Sequence, residues 1–197
     1  MGQTNIPEPP PAIPQRGNSF SRFIGRSMMS ASGWTIEGNF PNEPKYIIAI
    51  VPHTSNMDFL VGLNVLLSMG LRLEFMGKES LFWEPQGTLL RWLGGVPVNR
   101  DAPGGTVRQI VKQFEESEQF VLVITPEGTR RKVEKWKTGF YRIAEKAGVP
   151  IVPTGFDYLS KTIKIGPPLW PSGDMEADFA ALRAFYAGIT ARFPDKA

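Results

Sequence analysis

The sequence predicts an α/β fold, a layered mixed and largely parallel sheet flanked by helices. Three observations carry that prediction. Tyr46 to Val51 and Phe120 to Ile124 are continuous apolar runs, the pattern of strands buried on both faces. Other stretches have helical spacing, such as Val107, Ile110, Val111 and Phe114 at i, i+3, i+4 and i+7. From residue 45 onward the two patterns alternate, as a parallel sheet with crossover helices requires.

The elements follow in order. Residues 1–18 contain Pro7, Pro9, Pro10, Pro11 and Pro14, cannot form a helix or central strand, and read as a disordered proline-rich tail. Residues 19–33 read as a basic amphipathic helix, with Phe20, Phe23, Ile24 and Met28 near one face and Arg22 and Arg26 beside them. Such a helix either packs on the domain with solvated arginines or lies on a membrane surface. Residues 34–197 read as one domain. Within it, Ser55 to about Leu71 is a helix, with Ser55 and Asp58 spaced as a capping box. Its apolar part, Phe59 to Leu71, is too short to span a bilayer and reads as a buried helix. Leu71 to Met76 and Gly95 to Val98 read as strands, and Thr106 opens a helix. Phe140, Ile143, Ala144 and Ala147 line a helix that Gly148 ends. Val149 to Val152 and Thr162 to Ile165 read as strands, and Met175 to Phe193 as a final helix.

Bulk properties narrow the function. The chain has 197 residues, 42% hydrophobic and 21% charged, an ordinary globular composition. Without cysteine there is no disulfide framework, thiolate metal site or cysteine nucleophile. A net charge of +3 suits an anionic partner such as a phosphorylated metabolite or lipid surface. It does not argue for nucleic acid, because the basic residues are not interleaved with aromatics in a recognisable module. Residues 2–18 lack the apolar segment of a signal peptide.

Three strings at expected strand ends carry chemistry. His53, the only histidine, precedes Asp58 by five residues where a strand gives way to a helix. A neutral imidazole can take a proton from an attacking alcohol, best when its other nitrogen donates to an orienting carboxylate. Asp58 is equally placed to be the capping acid of its helix. Gly95-Val96-Pro97-Val98-Asn99-Arg100 delivers a guanidinium suited to phosphate. Pro126-Glu127-Gly128-Thr129-Arg130 follows the clearest strand and leads to Lys132, Lys135 and Lys137. There Gly128 lets backbone N–H groups approach an anion, and Glu127 is expected to orient an arginine or meet an acceptor hydroxyl.

Together the strings resemble the ordered motifs of the glycerolipid acyltransferase family. His53-x4-Asp58 is similar to the first motif, Gly95 to Arg100 to the second, Pro126 to Arg130 to the third, and Gly148-Val149-Pro150-Ile151-Val152-Pro153 to the fourth. Lys78 and Trp136-Lys137-x-Gly139-Phe140 also resemble family positions. Pro52 before His53 and Thr125 before Pro126 depart from the pattern.

The resemblance implies a glycerol-phosphate acyltransferase-like fold and transfer of a fatty acyl group from acyl-CoA or acyl-carrier protein to 1-acylglycerol 3-phosphate; the alternatives are the same chemistry on glycerol 3-phosphate or a different lysolipid, or a non-catalytic lipid-binding module. It implies no metal, no other cofactor and no covalent acyl-enzyme. His53 would be the base and Asp58 its orienter. Lys78, Arg100, Glu127, Gly128, Thr129, Arg130 and Lys137 would bind substrate, and Pro150 and Pro153 would wall the acyl pocket. The expected setting is peripheral attachment to the cytoplasmic face of a membrane.

Overall fold

A computed structural model describes residues 6–99, 105–133 and 135–196. Seven strands form one sheet: β1 (Thr35–Glu37), β2 (Lys45–Ile50), β3 (Glu74–Lys78), β4 (Gly95–Val98), β5 (Phe120–Ile124), β6 (Ile151–Asp157) and β7 (Thr162–Ile165). Their spatial order is β1-β7-β6-β2-β5-β3-β4. β2 to β6 run parallel, and only the β6–β7 pair is antiparallel. The mixed, largely parallel α/β sheet expected from the sequence is therefore the observed one.

Helices cover both faces. α1 (Ser19–Ser32) and α2 (Met57–Met69) lie on one side; α4 (Gly105–Glu116), α5 (Gly139–Ala147) and α6 (Met175–Tyr186) lie on the other, with the short α3 (Gln86–Trp92) near β4. Alternation along β2 shows why its apolar run is continuous. Tyr46 and Ile48 face the core shared with Met29, Val61 and Val65, while Ile47 and Ala49 face the core shared with Ile110, Phe140 and Leu182.

The proline-rich stretch is not a free tail over its described part, residues 6–18. Ile13 is 1% exposed, Gln15 bridges Leu71, the Arg72 N–H donates to Pro14 O, and the Arg16 N–H donates to Gly70 O. An apolar anchor and strand-like pairing thus hold a segment whose composition alone argues for disorder. The same pairing occupies Leu71 and Arg72, so β3 begins at Glu74 rather than at Leu71.

The amphipathic helix is present as α1, capped reciprocally by Asn18 and Ser21 and closed by Gly33 at φ +73°. Its apolar stripe faces outward, with Phe20 70% and Phe23 68% exposed. Gly25 and Met29 pack inward, and a Cβ on Gly25 would stand 2.3 Å from Ser68 N on α2. α2 is buried on one side only: Val61 and Val65 are in the core, whereas Phe59 and Leu60 are exposed. The last helix stops at Tyr186, before Gly188, and the chain then returns to the end of β6, where the Tyr158 N–H donates to Thr190 O.

Candidate active site

The carboxyl ends of β2, β5 and β6 converge, the place where open parallel sheets collect ligands. β2 runs into His53, β5 into Thr125-Pro126-Glu127, and β6 into Tyr158. In the turn after β2, His53 Nδ1 lies 3.1 Å from Asp58 Oδ2. The same oxygen accepts the Thr54 and Ser55 N–H groups at 2.9 Å each, and the Ser55 hydroxyl accepts the Met57 N–H. The two readings of Asp58 are one arrangement: the carboxylate satisfies the free N–H groups ahead of α2 and faces the imidazole.

Asp58 is buried, with its side chain 1% exposed. Burial by itself pushes its carboxyl up, but hydrogen bonds from His53, the Tyr158 hydroxyl and the Ser55 backbone outweigh that and hold it below its ordinary value. Asp58 is thus an anion across the neutral range. With Nδ1–H donating to it, the neutral imidazole keeps Nε2 as its proton acceptor.

Glu127 meets backbone of the His53 turn. It is buried, and its Oε2 accepts the His53 backbone N–H at 2.8 Å. Burial pushes its carboxyl up, which the hydrogen bond from His53 only partly offsets. No arginine pairs with it among the described residues. That hydrogen bond ties the residue after β5 to the turn that carries the imidazole.

Next to His53 lies a cavity of about 820 Å³. Its apolar walls are Phe75 and Met76 of β3, Val98 of β4, Val107 of α4, Val123 and Ile124 of β5, and Phe140 and Ile143 of α5. Gly128, Thr129, Arg130, Arg131 and Lys137 also line it, and Thr129, Arg130, Arg131 and Lys137 are exposed. The strand-to-helix crossing at β5 makes this basic edge. Gly128 adopts φ +63°, and a Cβ there would stand 2.6 Å from Lys137 Nζ, so the glycine admits both the turn and the crossing lysine.

The structure therefore gathers His53, Gly128, Thr129, Arg130 and Lys137 around one cavity, with Asp58 and Glu127 held against His53 behind it. It sets other expected residues apart. Lys78 is exposed at the end of β3 and is not part of the cavity wall. Pro153 is buried in β6 and Pro150 just before it; Pro150 O accepts the Ile47 N–H, Pro153 O accepts the Gly166 N–H, and neither lines the cavity. The apolar wall comes instead from β3, β4, β5, α4 and α5. Arg100 lies outside the described residues. Among those described, no three acidic or histidine side chains gather to hold a metal ion.

One site residue escaped the sequence reading. The Tyr158 hydroxyl donates to Asp58 Oδ1 at 2.6 Å, although the two residues are 100 positions apart. A tyrosine just past an apolar strand end was the available signal, and it is a weak one.

Fold and site define an α/β protein with a histidine–aspartate pair at its strand ends, next to an apolar cavity with a cationic edge. The chain belongs to the acyltransferase family, whose sequence model, Acyltransferase, matches residues 34–157. It is 29% identical over 165 residues to the 1-acyl-sn-glycerol-3-phosphate acyltransferase of Escherichia coli, covering 79% of this chain and 65% of that protein. It is 31% identical over 143 residues to the Haemophilus influenzae protein of the same name, covering 68% of this chain and 58% of that one. The chain thus spans less than two thirds of either relative. The fold is that of the 1-acyl-sn-glycerophosphate acyltransferase PlsC from Thermotoga maritima, with a TM-score of 0.61 at 20% identity over 88% of this chain and 80% of that one.

Proposed function

We infer that this chain transfers a fatty acyl group from a thioester donor, acyl-CoA or acyl-carrier protein, to the free hydroxyl of 1-acylglycerol 3-phosphate, giving phosphatidic acid. The observation that carries the reading is His53, backed by the buried Asp58 and opening onto an apolar cavity with a cationic edge. His53 Nε2 takes the proton from the acceptor hydroxyl as its oxygen attacks the thioester carbonyl. The tetrahedral intermediate then collapses, the carbon–sulfur bond breaks, and the imidazolium returns its proton to the leaving sulfur. Asp58 stabilises the imidazolium between the two steps. No covalent acyl-enzyme is needed, because the acceptor oxygen is itself the nucleophile.

The polar and apolar parts of the substrates fit separate parts of the cavity. Arg130, Arg131 and Lys137 suit a phosphate, by charge-assisted hydrogen bonds to its oxygens. The walls from Phe75, Met76, Val107, Phe140 and Ile143 suit an acyl chain.

The substrates partition into bilayers, and the surface supports a membrane-bound setting. Among the described residues no helix is long and apolar enough to cross a membrane. Phe20, Phe23, Ile24 and Met28 on α1, Met57, Phe59 and Leu60 at the start of α2, and Leu81, Trp83, Leu89 and Trp92 around α3 are exposed. Exposed apolar groups in that number favour peripheral contact with a lipid surface. Purified protein incubated with palmitoyl-CoA or palmitoyl-acyl-carrier protein and a panel of lysolipids, with products identified by mass spectrometry, tests the reading. Phosphatidate from 1-acylglycerol 3-phosphate is the expected product, and no acylated product from any pair would overturn it.

A further inference from the structure

We propose that Tyr158 is a positioning residue for His53, acting through Asp58 as the last member of a His53–Asp58–Tyr158 chain. The proposal rests on the reading of His53 as the base. Its geometry is direct. Asp58 divides its two oxygens: Oδ2 faces His53 Nδ1 at 3.1 Å and accepts two backbone N–H groups, while Oδ1 accepts the Tyr158 hydroxyl at 2.6 Å. A carboxylate held at only one oxygen can rotate about its last bond. Held at both, it has one orientation, and that orientation aims Oδ2 at the imidazole.

Tyr158 is itself fixed from several directions. Its N–H donates to Thr190 O, and its neighbour Asp157 accepts the Thr190 and Leu159 N–H groups. The Phe193 N–H donates to the Thr54 hydroxyl, so the segment after α6 ties the Tyr158 end of β6 to the His53 turn. The Trp34 ring meets the Tyr158 ring edge-on at 5.0 Å, and the Arg192 guanidinium lies 6.0 Å from its centroid. Burial and the Asp58 hydrogen bond both push the phenol's ionisation up, so it stays protonated and a donor throughout the working range.

The hydrogen bond also takes up part of the Asp58 charge. The charged and titratable groups around the imidazole are Asp58 and Glu127 on the acidic side, and Arg130, Arg131 and Lys137 sharing its cavity. Tyr158 and Arg192 act on it at one remove. With the phenol removed, the Asp58 charge concentrates on Oδ2, which favours the imidazolium and makes His53 protonate at higher pH.

Because His53 is the only histidine, its imidazole can be titrated alone by NMR in the full chain, without substrate. In Tyr158→Phe the midpoint of that titration is expected to rise by about 0.5 pH unit, the scale of one redistributed hydrogen bond to a charged group. In an Asp58→Asn background, Tyr158→Phe is expected to move it no further. The acidic limb of kcat/KM should shift with the midpoint and kcat should fall about 10-fold, while KM for palmitoyl-CoA stays put. An unchanged midpoint in folded Tyr158→Phe overturns the proposal, and so does an equal shift without Asp58. If Tyr158→Phe does not fold, 3-fluorotyrosine in the unmutated chain makes the phenol a stronger donor, and the midpoint should move down; no movement overturns the proposal. Normal turnover by His53→Ala would instead overturn the reading of His53 as the base, whatever the titration shows.

Discussion

Asp58 and His53 meet because one carboxylate oxygen, Oδ2, both accepts the backbone N–H groups that open α2 and faces Nδ1 of the imidazole at 3.1 Å. The start of the helix and the orientation of the imidazole are thereby set by the same atom. A residue that loses this oxygen loses both functions, and one that keeps an oxygen without the charge separates them.

That separation gives the first prediction. His53→Ala should lower acyl transfer by about 10²–10⁴, the usual contribution of a positioned general base. Asp58→Asn keeps an oxygen for the Thr54 and Ser55 N–H groups, so the fold should stand while kcat falls steeply. Steady-state kinetics beside circular dichroism check both, and near-normal kcat in a folded Asp58→Asn chain would count against the pair.

Asp58 also makes stability depend on pH. Its carboxyl is held below its ordinary value in the folded state, so its contribution is present above the unfolded carboxylate range of about 3.9 and lost as pH falls through the folded value. Urea unfolding of the unaltered chain and of Asp58→Asn between pH 2.5 and 6 should show the widest gap at the upper end and closure at the lower. Parallel curves would mean that Asp58 is not the titrating contact.

Glu127 is buried and accepts one N–H, so its charge costs more than its shape. Glu127→Gln keeps an amide oxygen for the His53 N–H, whereas Glu127→Ala leaves that N–H without its partner. The glutamine variant should keep most of its activity, and the alanine variant should lose about 1–3 kcal/mol of stability and turn over at least about 10-fold more slowly. A dead glutamine variant that still folds would point to direct contact between the carboxylate and substrate.

How much of this was legible in the sequence depends on how local each signal is. β4, β5 and β7 begin and end where the apolar runs do, and His53 with Asp58 was visible because both belong to a single turn. Tyr158 was not, since the parallel register that pairs Ile50 with Thr154 is what brings the β6 end beside the His53 turn. Periodicity marked the stripe on α1 but not which side packs; Gly25, small enough to let Ser68 approach, turned the aromatic side out. Ile13 escaped notice because prolines dominate its surroundings. The resemblance implies a pocket wall at Pro150 and Pro153; the structure buries Pro153 within β6 and Pro150 just ahead of it, away from the cavity lining.

At the edge of the cavity, Arg130 and Lys137 should act on binding rather than chemistry. Arg130→Ala and Lys137→Ala should raise KM for 1-acylglycerol 3-phosphate by about 10-fold or more, as loss of a charge-assisted hydrogen bond of about 1.5–3 kcal/mol implies, with kcat little changed. If only KM for the acyl donor rises, these cations serve the donor's phosphates, and the acceptor head binds elsewhere.

Membrane contact should depend on apolar side chains more than on charge. The two arginines of α1 are already engaged: Arg22 donates to Gln15 Oε1 at 3.0 Å, and Arg26 pairs with Glu8 at 2.6 Å while also donating to Ser68 O. They hold α1 to the protein, and the Glu8 partner offsets the Arg26 charge, which leaves less for the salt-sensitive attraction that a basic amphipathic helix would bring. Among the exposed apolar groups are Phe20 and Phe23 on α1 and Trp83, Leu89 and Trp92 around α3, and Arg16 lies 4.0 Å over the Trp92 ring. Co-sedimentation with phosphatidylcholine–phosphatidylglycerol vesicles should therefore weaken little between low and high salt. Phe20→Ala with Phe23→Ala, and separately Trp83→Ala with Leu89→Ala, should each reduce the bound fraction, because burying one such side chain contributes about 1.5–3 kcal/mol. Binding that collapses in high salt while both double variants sediment normally would shift the contact to the exposed cations near the cavity.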